Sequence, residues 1–303
     1  MTSAIETDGL TRRFRHVEAV EGLSLRVPAG SIFALIGPNG AGKTTTLKLL
    51  LNLLRPTRGS AQVLGVDSQR LGVLELQRIG YVSDNQRLPD WMTPGQLLEY
   101  CRPFYRTWDD QLWKTLQTRL GLAANAPLRT LSRGMRMKAA LLSALAFRPQ
   151  LIILDEPFTG LDPLVRDELV RALLEAADDR PRTVLVSSHD IEEVERLADW
   201  VGFIDRGRLL FAEPVSSMLA RFRLVEVITS NGLPAHVPSD PRWIVQGSAG
   251  RTLRFVDTDH ASPDAAARIA AAFPPAEIQT SPMPLRDIFV TLAARSAQAA
   301  VEK

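Results

Sequence analysis

Ser31-Ile-Phe-Ala-Leu-Ile-Gly37-Pro-Asn-Gly-Ala-Gly-Lys-Thr44 joins an uninterrupted apolar run to a glycine-rich loop, and Thr44 to Leu54 then carries apolar residues on nearly every side before Arg55-Pro56. An apolar run without alternation reads as a strand buried on both faces. The segment after the loop reads as a core helix stopped by proline. The loop itself fits G-x-x-x-x-G-K-[ST], and it lies between a strand and a helix, the context that this motif requires. Gly37, Gly40 and Gly42 leave room for backbone N–H groups to wrap a phosphate, and the next helix points its positive end at the anion. Pro38, Asn39, Ala41 and Thr45 complete the candidate nucleotide-binding loop. Lys43 is placed to reach the β and γ phosphates, and the Thr44 hydroxyl to ligate Mg²⁺. A glycine-rich turn with no ligand is the alternative, and the strand-loop-helix context argues against it.

Outward from this loop the same grammar repeats. Val20, Leu23 and Leu25 mark a strand region between Glu18 and Arg26, while Leu151–Leu154 and Thr183–Val186 are apolar runs that each follow a helical stretch. Strands alternating with helices predict an α/β fold with a mixed, largely parallel sheet. Leu151-Ile-Ile-Leu-Asp-Glu-Pro157 ends its strand on two carboxylates, where open α/β sheets place their ligands. Asp155 can join a Mg²⁺ shell. Glu156, next along an extended strand and so on its opposite side, is free to orient or deprotonate an attacking water. The run Val184–Ser188 ends beside His189, which can bond a γ-phosphate or position a water. His16, His236 and His260 have no comparable company.

Between about Leu88 and Pro149 the strand signal vanishes and prolines at 89, 94, 103 and 127 punctuate helical patterns, so a helical subdomain is expected over about 88–149. After Phe211 short strand patterns (Val225–Thr229, Trp243–Gln246, Thr252–Val256) and an Ala-rich helix (Pro263–Phe273) predict a small α+β domain, with the break near residues 218 and 219. The 303 residues are 45% hydrophobic and 23% charged, which excludes a disordered or collagen-like chain. A formal charge of only +2 gives no overall field favouring nucleic acid. A lone Cys101 excludes an internal disulfide and a cysteine zinc site. No window is long and apolar enough for a membrane span, and the polar start Met1–Thr11 has no secretory leader, so cytoplasmic residence is expected.

Leu131-Ser-Arg-Gly-Met135 makes the set of motifs diagnostic. From about Thr7 to Gly207 the chain resembles the ATP-binding subunit of an ATP-binding-cassette (ABC) transporter, a P-loop NTPase cassette, through the phosphate loop, this signature run, Leu151–Pro157, Gly160-Leu-Asp-Pro163 and Ser188-His189-Asp190 in family order. The resemblance implies ATP and Mg²⁺ as ligands and ATP hydrolysis by Lys43, Glu156 and His189. It also implies head-to-tail pairing of two cassettes, as a homodimer or with a sibling, so that Ser132 and Gly134 of one meet the ATP of the other. Asp162 then lies at the dimer interface, and it also caps the helix starting near Pro163. Phe14 matches the position that stacks on adenine, and it equally serves to cover the first strand.

Two motifs depart from the family pattern. Arg133 and Met135 replace residues of the common L-S-G-G-Q run, a form similar to that of some exporter ATPases. In Ile79-Gly-Tyr-Val-Ser-Asp-Asn-Gln86 a gapless comparison puts Asp84 where the family carries a metal-shell glutamine, while the only glutamine is Gln86, which is favoured. The tail resembles the accessory domain after some exporter cassettes, with Leu285–Leu292 as its closing helix. The implied partner is a separately encoded polytopic membrane subunit at the cytoplasmic face of the plasma (inner) membrane, and the implied direction is export. No nucleic-acid partner is expected. A soluble ABC-type ATPase acting on ribosomes or DNA is the alternative, but such chains carry paired cassettes or a long coiled-coil insertion.

Overall fold

The computed structural model describes residues 2–84, 86–178, 182–230, 238 and 240–301, so His236 lies outside the described residues. They divide into two compact units, Met1–Ala212 and Glu213–Lys303.

The first unit opens with β1 (Ser3–Phe14), β2 (Val17–Leu23) and β3 (Arg26–Pro28), then β4 (Ile32–Ile36), α1 (Lys43–Leu50), β5 (Arg58–Val63) and β6 (Val66–Asp67). It continues through α2 (Val73–Leu76), β7 (Ile79–Ser83), α3 (Pro94–Cys101), α4 (Asp110–Arg119), α5 (Arg133–Leu145), β8 (Leu151–Asp155), α6 (Pro163–Asp178), β9 (Thr183–Ser188), α7 (Ile191–Glu195) and β10 (Trp200–Asp205). β11 (Arg208–Pro214) is the strand in which this unit ends.

A six-stranded sheet in the order β11-β10-β4-β9-β8-β7 is parallel from β10 through β7. Its central strands β4, β8 and β9 are buried at every position, the reason their sequences run apolar without alternation up to the polar residues at the ends of β8 and β9. The expected α/β organisation is therefore present, joined by a separate antiparallel sheet, β2-β1-β5-β6 with β3 on β1. The sequence pattern did not reveal β1, which is polar over much of its length. Ile5 and Leu10 are fully buried, but buried Thr7 separates them, its hydroxyl donating to the Leu23 carbonyl and accepting from the Leu25 N–H, both at 2.8 Å. A threonine that satisfies its own hydroxyl can occupy a core position that a hydrophobicity pattern leaves blank.

α1 stops at Leu50, short of the expected Leu54. Asn52 adopts a left-handed backbone (φ 57°), and the N–H groups of Leu53 and Leu54 turn back to the Lys48 carbonyl, closing the helix before the proline. Among the described residues no strand lies between Ser83 and Leu151. The helices there are held by caps at Thr93, Asp109 and Ser132 and by Trp113, which is fully buried. Lys138, also buried, donates to the Leu120 carbonyl (3.1 Å) and pairs with Glu168 on α6.

The second unit comprises α8 (Val215–Arg221), β12 (Arg223–Thr229), β13 (Trp243–Ala249), β14 (Thr252–Asp257), α9 (Ala265–Ala272), β15 (Ala276–Pro282) and α10 (Leu285–Val301). Its sheet, ordered β13-β14-β12-β15, is antiparallel throughout. Val225, Val227, Leu253 and Phe255 pack against Ile269 and Phe273, with Trp243 beside both phenylalanines at centroid distances of 4.7 and 5.7 Å. The expected break at 218 and 219 falls inside α8. That helix belongs wholly to the second unit because Arg221 forks onto Glu213 and donates to the Thr258 carbonyl at 2.7 Å.

Candidate functional site

The site forms where β4, β8 and β9 end side by side. In register, Leu35 of β4 lies beside Ser187 of β9, which lies beside Asp155 of β8. The Gly37 N–H donates to the Ser188 carbonyl at 3.3 Å, fixing the start of the loop to the neighbouring strand. A Cβ on Gly37 would collide with the carbonyl of Ile204, and one on Gly42 (φ 105°) with that of Ala19, so both glycines are demanded by backbone packing as well as by any phosphate.

α1 begins at Gly42 with no side-chain cap and with no acidic residue in its first turn. By contrast α3, α4, α5 and α7 are capped by Thr93, Asp109, Ser132 and Asp190. The N–H groups and the positive dipole end of α1 are thus left for an anion, which is the fit that a nucleotide phosphate requires.

Around that helix end, oppositely charged groups interlock. Lys43, 5% exposed, donates to the carbonyls of Gly37 (2.7 Å) and Pro38 (3.2 Å) and pairs with Glu156 Oε1 at 3.0 Å. The other Glu156 oxygen, Oε2, meets His189 Nδ1 at 2.7 Å and accepts from the Thr159 hydroxyl at 3.1 Å. Burial pushes the Glu156 carboxyl up, but the bonds and charges of His189 and Lys43 outweigh it and hold it below the ordinary carboxylate value. Asp155, 3% exposed, accepts on Oδ1 from Thr44 Oγ1 (2.9 Å) and Ser187 Oγ (2.8 Å). A Thr hydroxyl and an Asp carboxylate side by side form an all-oxygen donor set of the kind that a hard divalent cation takes.

Glu156 departs from the extended strand that alternation predicts. Its φ is +52°, and its N–H is shared between the Ser187 carbonyl (3.2 Å) and Ser187 Oγ (3.1 Å). The turn, and not strand alternation, aims its carboxylate at Lys43 and His189. Fully buried Ser187 therefore serves both carboxylate residues through one hydroxyl. Residue type alone did not single it out, because an apolar run ending in two serines carries no sign of which one turns inward. Ser187→Ala is expected to cost about 1–3 kcal/mol in denaturant unfolding, since it strips a buried carboxylate of a donor.

The phosphate loop, Asp155, Glu156 and His189 are thus brought together. The remaining expected residues are engaged locally. Ser132 Oγ caps α5 through the Met135 N–H (3.2 Å), and buried Gly134 packs against Val165. Asp162 Oδ1 accepts from the N–H groups of Leu164 (3.1 Å) and Val165 (3.0 Å), the capping role foreseen for it. The Phe14 ring, 39% exposed, lies 4.5 Å under the Arg12 guanidinium. The Asp84 N–H donates to the Asp155 carbonyl at 2.9 Å, whereas the Gln86 side chain and main chain both fold back onto Ser83.

A parallel sheet whose adjacent strand ends present an uncapped helix, a buried lysine and a hydroxyl-carboxylate pair defines a P-loop nucleotide-binding protein. The comparisons sharpen that class. Residues 20–159 match the family described as ABC transporter. The chain is 36% identical over 219 residues to the daunorubicin/doxorubicin resistance ATP-binding protein DrrA of Streptomyces peucetius, covering 69% of this chain and 64% of that one. It belongs to the ABC transporter family of ATP-binding proteins. To the Nod factor export ATP-binding protein I of Neorhizobium galegae it is 32% identical over 305 residues, covering 97% of this chain and 86% of the relative. Among solved structures, an ATP-binding subunit of an ABC transporter superposes with a TM-score of 0.65 at 26% identity, over 72% of this chain and 92% of that one.

Proposed function

We propose that the chain binds and hydrolyses ATP with Mg²⁺ and uses the cycle to drive export through a separate membrane subunit. The observation that carries this reading is the convergence of Lys43, the Thr44–Asp155 pair and the Glu156–His189 pair on the uncapped start of α1. Backbone N–H groups of the loop from Asn39 to Thr45 hold the phosphates, and Lys43 leaves Glu156 to reach them. Thr44 and Asp155 hold Mg²⁺, which neutralises charge on the phosphates when bound. Glu156 accepts a proton from the attacking water, and His189 fixes the Glu156 carboxylate from its other oxygen. A second cassette, identical or sibling, brings its Ser132 and Gly134 across to complete each site. The first unit is then the nucleotide-binding domain and the second an accessory domain.

Among the described residues no helix is long and apolar enough to cross a membrane, so in this reading a polytopic partner supplies the pathway and the protein sits peripherally on the cytoplasmic face. Relatives named for drug resistance and for Nod factor export support the outward direction. The reading is tested by gentle detergent extraction and affinity capture of the native protein, followed by mass spectrometry. A polytopic membrane protein in stoichiometric amount is the expected result. Ribosomal or DNA-repair partners without one would favour a soluble ATPase switch.

A further inference from the structure

The two departures from the family pattern noted in the sequence meet in the structure. Arg133, in the signature run, forms an ion pair through Nη2 with Oδ1 of Asp84, the residue in the register of the missing glutamine. Asp84 is anchored to the site by its main chain, which donates to the Asp155 carbonyl at 2.9 Å and directly follows Ser83, the register partner of Asp155. Arg133 is the first residue of α5, next to the cap Ser132. A Cβ on Gly160 (φ 69°) would stand 2.9 Å from Arg133 Nη1, so the guanidinium also lies against the turn between Glu156 and Asp162. One side chain thus spans the end of β7, the turn after β8 and the first turn of the signature helix.

We propose that Asp84 and Arg133 are a positioning pair that ties the start of α5, and with it Ser132, to the catalytic end of β8. The proposal rests on the ATPase reading above. In it the Asp84 carboxylate is committed to Arg133 and is no metal-shell ligand. The planar five-donor guanidinium suits the task, because one edge can hold the carboxylate while the other rests on the glycine turn. The guanidinium is half exposed (50%) and Asp84 less so (21%), which makes the link modest in strength and sensitive to salt.

The test uses the full chain, with phosphate release measured across titrations of ATP and Mg²⁺. Asp84→Asn and Arg133→Gln are each expected to lower kcat about two- to fivefold. The KM for ATP and the half-saturating Mg²⁺ should stay unchanged. The double variant should be no slower than either single one, and exchanging the two charges (Asp84→Arg with Arg133→Asp) should recover part of the loss. KCl should slow the wild type more steeply than the double variant. Multiplicative losses would overturn the pair, and so would a raised Mg²⁺ requirement confined to Asp84→Asn, which would make that carboxylate a metal ligand. Amide exchange at Met135 and Arg136 gives a reading independent of turnover. It should quicken in both single variants, and unchanged exchange would overturn the proposal even in a chain that hydrolyses nothing.

Discussion

Glu156→Gln is expected to abolish ATP turnover while leaving nucleotide binding intact or tighter. The substitution preserves shape, so the left-handed turn at φ +52° and its N–H bond to Ser187 remain. What disappears is the proton acceptor, and general-base removal costs on the order of 100-fold to 10,000-fold in rate. The tightening follows from the site geometry, in which the Glu156 carboxylate holds Lys43 Nζ at 3.0 Å and competes with any incoming phosphate for it. A neutral amide weakens that competition, so the Kd for ATP should fall by a fewfold factor while single-turnover phosphate release is lost. Equilibrium binding and rapid-quench release on the same preparation separate the two effects. Retained release would remove Glu156 from the chemistry and leave its charge with a structural role alone. Weaker binding would mean that Glu156 organises the loop instead of competing with the ligand.

Much of this site could be read from residue order because its parts obey strong local rules. A phosphate loop needs glycines where the backbone turns, and β4, β8 and β9 must be apolar up to their C-terminal ends because both of their faces are buried. The features that escaped depend on tertiary partners. Thr7 is a core residue only because the Leu23 carbonyl and the Leu25 N–H come to its hydroxyl. Ser187 is a hub only because β8 lies beside β9 in one register. Glu156 obeys a turn where strand alternation was the natural assumption. Gln86 is the residue that side-chain type favours, and the Asp84 main chain is the one bonded to Asp155, since pairing with β8 sets which residue follows β7. The start of the second unit was displaced for a similar reason, because the fork of Arg221 onto Glu213 joins residues that no local pattern connects.

Lys43→Ala should have the opposite signature to Glu156→Gln, with binding lost before chemistry is reached. The ammonium is buried against two loop carbonyls and one carboxylate. Bound phosphate replaces the carboxylate, and losing one charge-assisted contact of about 1.5–3 kcal/mol weakens ATP binding by about 10- to 150-fold. Glu156 responds as well. Burial already pushes its carboxyl up, and with Lys43 gone one of the two charged partners that oppose that push is lost, so the Glu156 pKa rises relative to the wild type. A carboxyl whose folded pKa moves up toward its unfolded value of about 4.3 adds less stability above that pH, so Lys43→Ala should flatten the loss of stability on acidification. Denaturant midpoints across the acid range, beside ATP titrations at neutral pH, measure both effects. Lys43→Arg is expected to rescue neither, because a planar fork does not fit a 5%-exposed pocket shaped for a point charge. Full binding by the arginine variant would show that charge alone, without the fitted cradle of Gly37 and Pro38 carbonyls, selects the phosphate.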